Sequence, residues 1–366
     1  MKKMSEEEKE YAIICNSGFE DIAALEVKDI TGAKTNIRES CVLFSTSEEK
    51  AIEYCYNAQA PKKILLVLGK GRNAMQVAES IDTAAIKGSF ALRSNKKNSE
   101  REIAEIIYNK LDDPKVNLDN PDCLLYLHQE KSNALIGIDV TQTDLSKRSY
   151  KIFSHPTSLK GTLAYYLVKM SLMNNKPRKG VFLDPCAGSG TIVAEAAFLS
   201  SGLSPRFFDK EELFSKHFDD ELVTKITKKL DEKIEKKLPC EIRAYDVDLQ
   251  SVNAMKKNFK IGGVENYIQA AKGDIDWLDT KFEKESVDWI VSQPPQYNKF
   301  NEKSMDKFYD KFFYQTEFVL RKKGVITIIS NSEKPIEHAT KYKLNLKKRK
   351  SFKIGAHEKH IFEFGK

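Results

Sequence analysis

A chain of 366 residues exceeds one ordinary domain and accommodates two or three. With 41% hydrophobic and 31% charged residues it reads as soluble and globular, and no run approaches the roughly 18 apolar residues of a spanning helix, so disordered and membrane classes are excluded. The net charge of +7 permits a polyanionic partner without requiring one.

The first residues, MKKMSEEEKEY, carry lysines with no apolar segment behind them, so a secretory signal is not expected and the cytoplasm is. YAIIC (11–15) reads as a strand, GFEDIAALEVKDI (18–30) as a helix, CVLFS (41–45) as a second strand, and a helix follows from Glu48. KKILLVLGK, AMQVAESI, GSFALRS and SEREIAEIIYNKL continue as strand, helix, strand and helix, the last with Ser99 as its expected cap. CLLYLHQE and ALIGIDVT are two strands joined by a polar turn at 131–133. The expectation for this half is α+β, built as two small sandwiches in series.

From about residue 150 the rhythm changes. After the amphipathic helix LKGTLAYYLVKMSLM, the strands GVFLDP, EIRAYDVD, YIQAAKGD, VDWIVSQ and VITIIS alternate with helices. Such alternation predicts parallel strands with right-handed crossovers, a doubly wound Rossmann-like sheet. LNLKKRKSFKIG and KHIFEFG should close the chain as an antiparallel hairpin at the sheet edge. The segment 201–238, from SGLSPRFFDK through the charged helix DDELVTKITKKLDEKIEKKL (219–238), reads as an insertion between the first and second of these strands.

The six cysteines are scattered without metal-ligand spacing and read as reduced thiols, so no metal is expected. Basic residues cluster at 341–353, and smaller groups at Arg93, Lys96, Lys97 and at Lys147, Arg148 are the expected phosphate contacts for an RNA partner.

The strongest local signal is Asp184-Pro-Cys-Ala-Gly-Ser-Gly-Thr191, between a buried strand and a helix. Its glycines let a ligand approach the backbone at a helix N-terminus. Asp246 ends the next strand, where a carboxylate can accept both hydroxyls of a ribose, and Asp248 competes for that role. The third strand ends at Asp274 and the fourth in Ser292-Gln-Pro-Pro-Gln-Tyr297. Ligands of such sheets bind outside the carboxyl ends of the strands, so these four segments are expected to converge on one site.

Taken together, these segments resemble the THUMP-domain RNA methyltransferases. The resemblance covers nearly the whole chain. It implies S-adenosylmethionine (AdoMet) as cofactor, held by Asp184, Cys186, Ala187, Gly188, Ser189, Gly190 and Thr191, by Asp246 with Val247 at the ribose, and by Asp274 with Ile275 at the adenine. Residues 144–150 and His155-Pro-Thr-Ser-Leu-Lys160 resemble the family's junction segment, which wraps the cofactor. The pattern around Gly18-Phe-Glu-Asp-Ile22 resembles the ferredoxin-like module of members that act on guanosine in tRNA or 23S rRNA. The implied layout is a ferredoxin-like module (1–57), a THUMP RNA-binding domain (58–148) and an AdoMet-dependent methyltransferase domain (149–366). The implied product is N2-methylguanosine in tRNA, made by a monomer with no membrane or metal partner.

Gln293, Pro294, Pro295, Gln296 and Tyr297 are the expected catalytic residues. An exocyclic amine is a poor nucleophile because its lone pair is conjugated with the ring. A side-chain carbonyl and the first proline's backbone carbonyl can hold its N–H groups and aim the lone pair. Related enzymes have Asn or Asp, two prolines and an aromatic here; this chain has Gln at both flanking positions, with Tyr297 one place along. That departure leaves an alternative, a weakened or inactive paralogue that acts as an RNA-binding protein. A DNA adenine or protein glutamine substrate is a third reading.

Overall fold

The structure, a computed structural model, describes residues 8–96, 100–131, 133–141, 143–154, 158–172, 179–210, 217–355 and 357–366. Lys97, Ser99, Ser132 and residues 155–157, singled out by sequence, lie outside the described residues. The chain forms two compact units, one of residues 1–145 with 209–232, the other of residues 146–208 with 233–366.

The first unit runs β1 (Lys9–Ile14), α1 (Glu20–Thr31), β2 (Thr35–Arg38), β3 (Cys41–Thr46), α2 (Glu48–Asn57), β4 (Lys63–Gly71), α3 (Ala74–Ser80), β5 (Ser89–Ser94), α4 (Glu100–Tyr108), β6 (Lys115–Val116), β7 (Cys123–Glu130) and β8 (Asn133–Asp139). Its described strands make one eight-stranded sheet in the order β2-β3-β1-β4-β8-β7-β5-β6. The expected two sandwiches are therefore fused. β1 pairs antiparallel with β4, with Ala12 opposite Leu65 and Ile13 opposite Ile64. All four side chains are buried, so pairing removes two apolar edges that would otherwise template aggregation. Local chemistry sets the helix ends: Asn73 caps α3 by accepting the Met75 N–H at 2.8 Å, and α1 stops at Gly32 with φ +76°.

In the second unit α5 (Gly161–Leu172) is buried along its whole length except at Lys169, so the helix expected to be amphipathic has no solvent face: its few polar side chains are short or aromatic and pack inside with the apolar ones. It is followed by β9 (Gly180–Asp184) and α6 (Thr191–Ser201). The insertion then contributes α7 (Asp220–Asp231), which packs on α2 and belongs to the first unit; Tyr56 donates its hydroxyl to Asp231 at 2.6 Å. The second unit resumes with β10 (Cys240–Asp246), α8 (Leu249–Gly262), β11 (Ile268–Lys272), α9 (Leu278–Lys281), β12 (Val287–Ser292), α10 (Glu302–Val319), β13 (Leu320–Ser330), α11 (Pro335–Lys341), β14 (Asn345–Ile354) and β15 (His357–Gly365).

The sheet order is β11-β10-β9-β12-β13-β15-β14. The first five strands are parallel, and β15 and β14 add the expected antiparallel edge hairpin. The order reverses between β9 and β12, and a crevice opens at such a switch point. The short elements β2, β6, α9 and α11 escaped sequence analysis because none carries an apolar run long enough to show a period. Among the described residues no helix is long and apolar enough to cross a membrane.

Candidate active site

The glycine loop leaves β9 and enters α6 at the switch point. Gly190 sits at φ +82°, and a Cβ there would lie 2.4 Å from the Phe259 ring of α8. Only glycine fits both the turn and the approach of α8. Gly188, at φ +52°, has open space where its Cβ would be. Its N–H donates to Asp246 Oδ2 at 2.8 Å, which ties the loop to the end of β10.

Asp184 ends β9 and is fully buried. One oxygen, Oδ1, accepts the Ser292 hydroxyl at 2.6 Å and the Cys186 N–H at 3.1 Å. The other, Oδ2, is buried with no hydrogen-bond partner among the described residues. Burial pushes the carboxyl up to about 7, against the two hydrogen bonds that favour its charge, and the nearby Asp246 adds to the rise. A buried acceptor without a donor is costly, so this oxygen fits a ligand that brings a donor, and an ammonium best.

Asp246 and Asp248 differ in their hydrogen bonds. Asp248 caps α8, accepting from Gln250 N at 3.2 Å and from Ser251 N and Oγ at 2.9 Å each. Asp246 accepts the Asp248 and Gly188 N–H groups and is held facing the glycine loop.

These groups line one cavity of about 580 Å3. Of the residues named from sequence, Asp184, Cys186, Ala187, Gly188, Ser189, Thr191, Asp246, Asp248 and all of residues 293–297 line it. Gly190, Val247, Asp274 and Ile275 do not, although Asp274 lies at the neighbouring strand end, where Gly273 N donates to Asp246 O at 3.0 Å. Asp274 itself caps a turn of 3-10 helix by accepting from Asp276 N at 3.1 Å. The cavity also takes in Leu159, from the junction segment, and Ile192, Ser251 and Asn298, which the sequence reading did not name; Ser251 is legible afterwards as the partner three places after a capping Asp.

Ser158, from the junction segment, also lines it and shares a 2.9 Å hydrogen bond with Ser189. The segment is anchored by Arg148, whose guanidinium meets Glu195 of α6 in a two-pronged pair at 2.8 and 2.9 Å, while Tyr150 donates to the same carboxylate at 2.8 Å. Arg148 was expected to contact phosphate. That expectation is corrected, because its side chain is 2% exposed and spent on a buried partner. Lys147 and, in the first unit, Arg93 and Lys96 are exposed, Arg93 donating to Leu118 O at 2.6 Å.

At the end of β12, Gln293 lines the cavity half-buried. Gln296 turns its amide inward: Nε2 donates to Pro294 O at 2.7 Å and to Ile329 O at 3.1 Å, and Oε1 accepts from Lys359 at 3.3 Å. One lone pair of the carbonyl expected to receive a substrate amine is thus already used, leaving the second. Tyr297 stacks on Tyr309 with centroids 5.3 Å apart and planes at 4°, and its hydroxyl donates to Asp306 at 3.0 Å. It packs against the core of the unit with one face, while still lining the cavity.

A family model described as the RMKL-like methyltransferase domain matches residues 148–360, more than half of the chain. The chain belongs to the RMKL-like methyltransferase family. A THUMP domain model matches residues 79–139, so this RMKL-like protein carries a THUMP domain ahead of its methyltransferase domain. It is 28% identical over 265 residues to the tRNA (guanine(6)-N2)-methyltransferase of Methanocaldococcus jannaschii, covering 71% of this chain and 65% of that protein. It is 22% identical over 317 residues to the ribosomal RNA large subunit methyltransferase K/L of Pseudomonas paraeruginosa, covering 78% of this chain and 43% of that protein. The match thus spans less than two thirds of the length of either relative. Among solved structures, the RMKL-like chain resembles TrmN from Thermus thermophilus with a TM-score of 0.69 at 18% identity, covering 98% of this chain and 100% of that one. It also resembles SMU.472, a protein solved in complex with SAH, with a TM-score of 0.80 at 20% identity and 98% coverage of both chains. At these identities the likeness is one of fold.

Proposed function

We propose that this RMKL-like protein is an AdoMet-dependent RNA methyltransferase that forms N2-methylguanosine in tRNA. The observation that carries the reading is the buried Oδ2 of Asp184, without a hydrogen-bond partner among the described residues, in a cavity shared with the proline-pair loop. It fits the amino group of a methionine moiety, and Asp246 beside Gly188 fits a ribose. Val247, Asp274 and Ile275, around the neighbouring strand ends, are assigned to the adenine. Bound there, the cofactor supplies an electrophilic methyl on a sulfonium.

The chain's own residues do the rest by positioning. The Gln293 side-chain oxygen and the remaining lone pair of the Pro294 carbonyl accept the two N–H groups of the guanine amine and turn its lone pair toward the cavity. Holding reactants in this way removes much of the barrier without a strong base. Residues 58–148, which contain the THUMP match, are assigned to RNA binding, with Arg93, Lys96, Lys97 and Lys147 as phosphate contacts. Residues 1–57 form the ferredoxin-like module and residues 149–366 the methyltransferase domain. The reading includes a monomer working in the cytoplasm. Agreement of the cavity's polar groups with a sulfonium nucleoside favours catalysis over a purely RNA-binding role.

The test is transfer of isotopic methyl from AdoMet to unmodified tRNA, followed by mass spectrometry of the nucleosides. N2-methylguanosine above background is expected. A purified protein that binds AdoMet and yet modifies no tRNA would return the non-catalytic reading to first place.

A further inference from the structure

A reaction on a guanine amine needs the base held as well as the amine, and the loop's first candidates do not hold it. Gln296 has no ring and is tied to Pro294, Ile329 and Lys359. Tyr297 has Tyr309 against one face and the Lys334 ammonium 5.6 Å from its centroid. Three residues further on, Phe300 is 98% exposed; the next most exposed large apolar side chain among the described residues, Ile152, is at 66%.

The backbone that carries Phe300 is nevertheless firmly fixed. Phe300 N donates to Asn298 Oδ1 at 2.8 Å, and Asn298 N to Asn301 Oδ1 at 2.7 Å. Asn301 Nδ2 donates to Gln296 O at 3.0 Å, and Asn331 Nδ2 to Tyr297 O at 2.7 Å. A turn braced by three asparagines presents a bare aromatic ring to solvent. Asn298 lines the cavity, and two residues of chain reach at most about 7 Å, so the backbone that carries the ring lies close to the cavity lining.

Other exposed rings of this unit fit less well. Trp277 follows β11, three strands from β12, or about 14 Å at the usual strand spacing. Phe153 has the Lys257 ammonium 4.7 Å from its centroid.

We propose that Phe300 is the stacking platform for the extruded purine whose amine the Gln293–Pro294 segment holds. The inference rests on the proposed function for its substrate. It moves base stacking off the position directly after the prolines and onto the braced turn beyond them. Phenylalanine has no hydrogen-bonding group, so it grips a base without reading it; the choice of guanine stays with Gln293 and the Pro294 carbonyl.

The test compares the wild type with Phe300→Ala and Phe300→Trp, with Leu346→Ala on the edge hairpin as an exposed apolar control. Loss of one stacked base predicts a fall in kcat/KM for tRNA of roughly 5- to 150-fold in the alanine variant. AdoMet affinity by calorimetry should be unchanged, the tryptophan variant should keep activity, and the control should match wild type. The tryptophan also reports directly: its added fluorescence should be quenched by tRNA, whether or not methyl is transferred. Quenching with no methyl transfer by any form would overturn the proposed activity and leave the platform standing. Full activity in Phe300→Ala, or no quenching in Phe300→Trp, overturns the platform.

Discussion

At the scale of single residues, Asp184 and Gln296 have the most testable chemistry. Burial disfavours the charge of Asp184 and raises its pKa to about 7. Its folded pKa is raised, so between the ordinary carboxylate range and pH 7 the folded protein holds a proton that the unfolded chain releases. An ammonium ligand has to displace that proton. Affinity for AdoMet should therefore fall by up to tenfold per pH unit below 7 and level off above it. Calorimetry in buffers of different ionisation enthalpy should register proton release below pH 7, and Asp184→Asn should lose both the release and most of the affinity.

Gln296 tethers the proline loop to β13 through the Ile329 carbonyl and to β15 through Lys359. Gln296→Ala should let the Pro294 carbonyl move, and a misplacement near an ångström costs on the order of 10²-fold in rate. The expected signature in steady-state methyl transfer is a lowered kcat with unchanged AdoMet affinity. Lys359 escaped sequence analysis because nothing local links it to a loop 63 positions away.

At the scale of elements, the site depends on how β9, α6, α8 and the junction segment are fastened together. The buried Arg148–Glu195 pair, with Tyr150 on the same carboxylate, fixes the segment that brings Ser158 to the cavity. Removing one partner of such a pair strands a buried charge, which typically costs about 3–5 kcal/mol. Glu195→Ala should lower the denaturant midpoint of this unit accordingly. The double change of Arg148 to Met with Glu195 to Leu should recover much of the loss, because no charge is then stranded. The sequence suggested Arg148 for RNA because basic side chains are mostly exposed. Only the packing of α6 beneath it made the position internal.

At the scale of the whole molecule, the expected phosphate contacts and the cofactor cavity separate by salt dependence. Each phosphate contact made by Arg93, Lys96 or Lys147 should add nearly one to the slope of log affinity against log salt. Charge reversal at these three exposed positions should flatten that slope and weaken tRNA binding in filter or anisotropy titrations. AdoMet affinity, set by the cavity in the second unit, should not change.

The doubly wound sheet, its edge hairpin and most of the site were legible in the sequence. Strand–helix alternation has few physical solutions, and the carboxyl ends of parallel strands are where ligands bind. Glycine turns, capping acids and a proline pair are local devices, and local devices can be read one segment at a time. Four outcomes needed the tertiary structure: the fusion of the first unit's strands into one sheet, α7 packing on α2, Arg148 turned inward, and Tyr297 stacked on Tyr309 so that Phe300 alone is left bare on the loop. Each is a contact between segments far apart in the chain or a choice between exposed and buried for one side chain. The free energy that decides it comes from tertiary neighbours that a local pattern does not name.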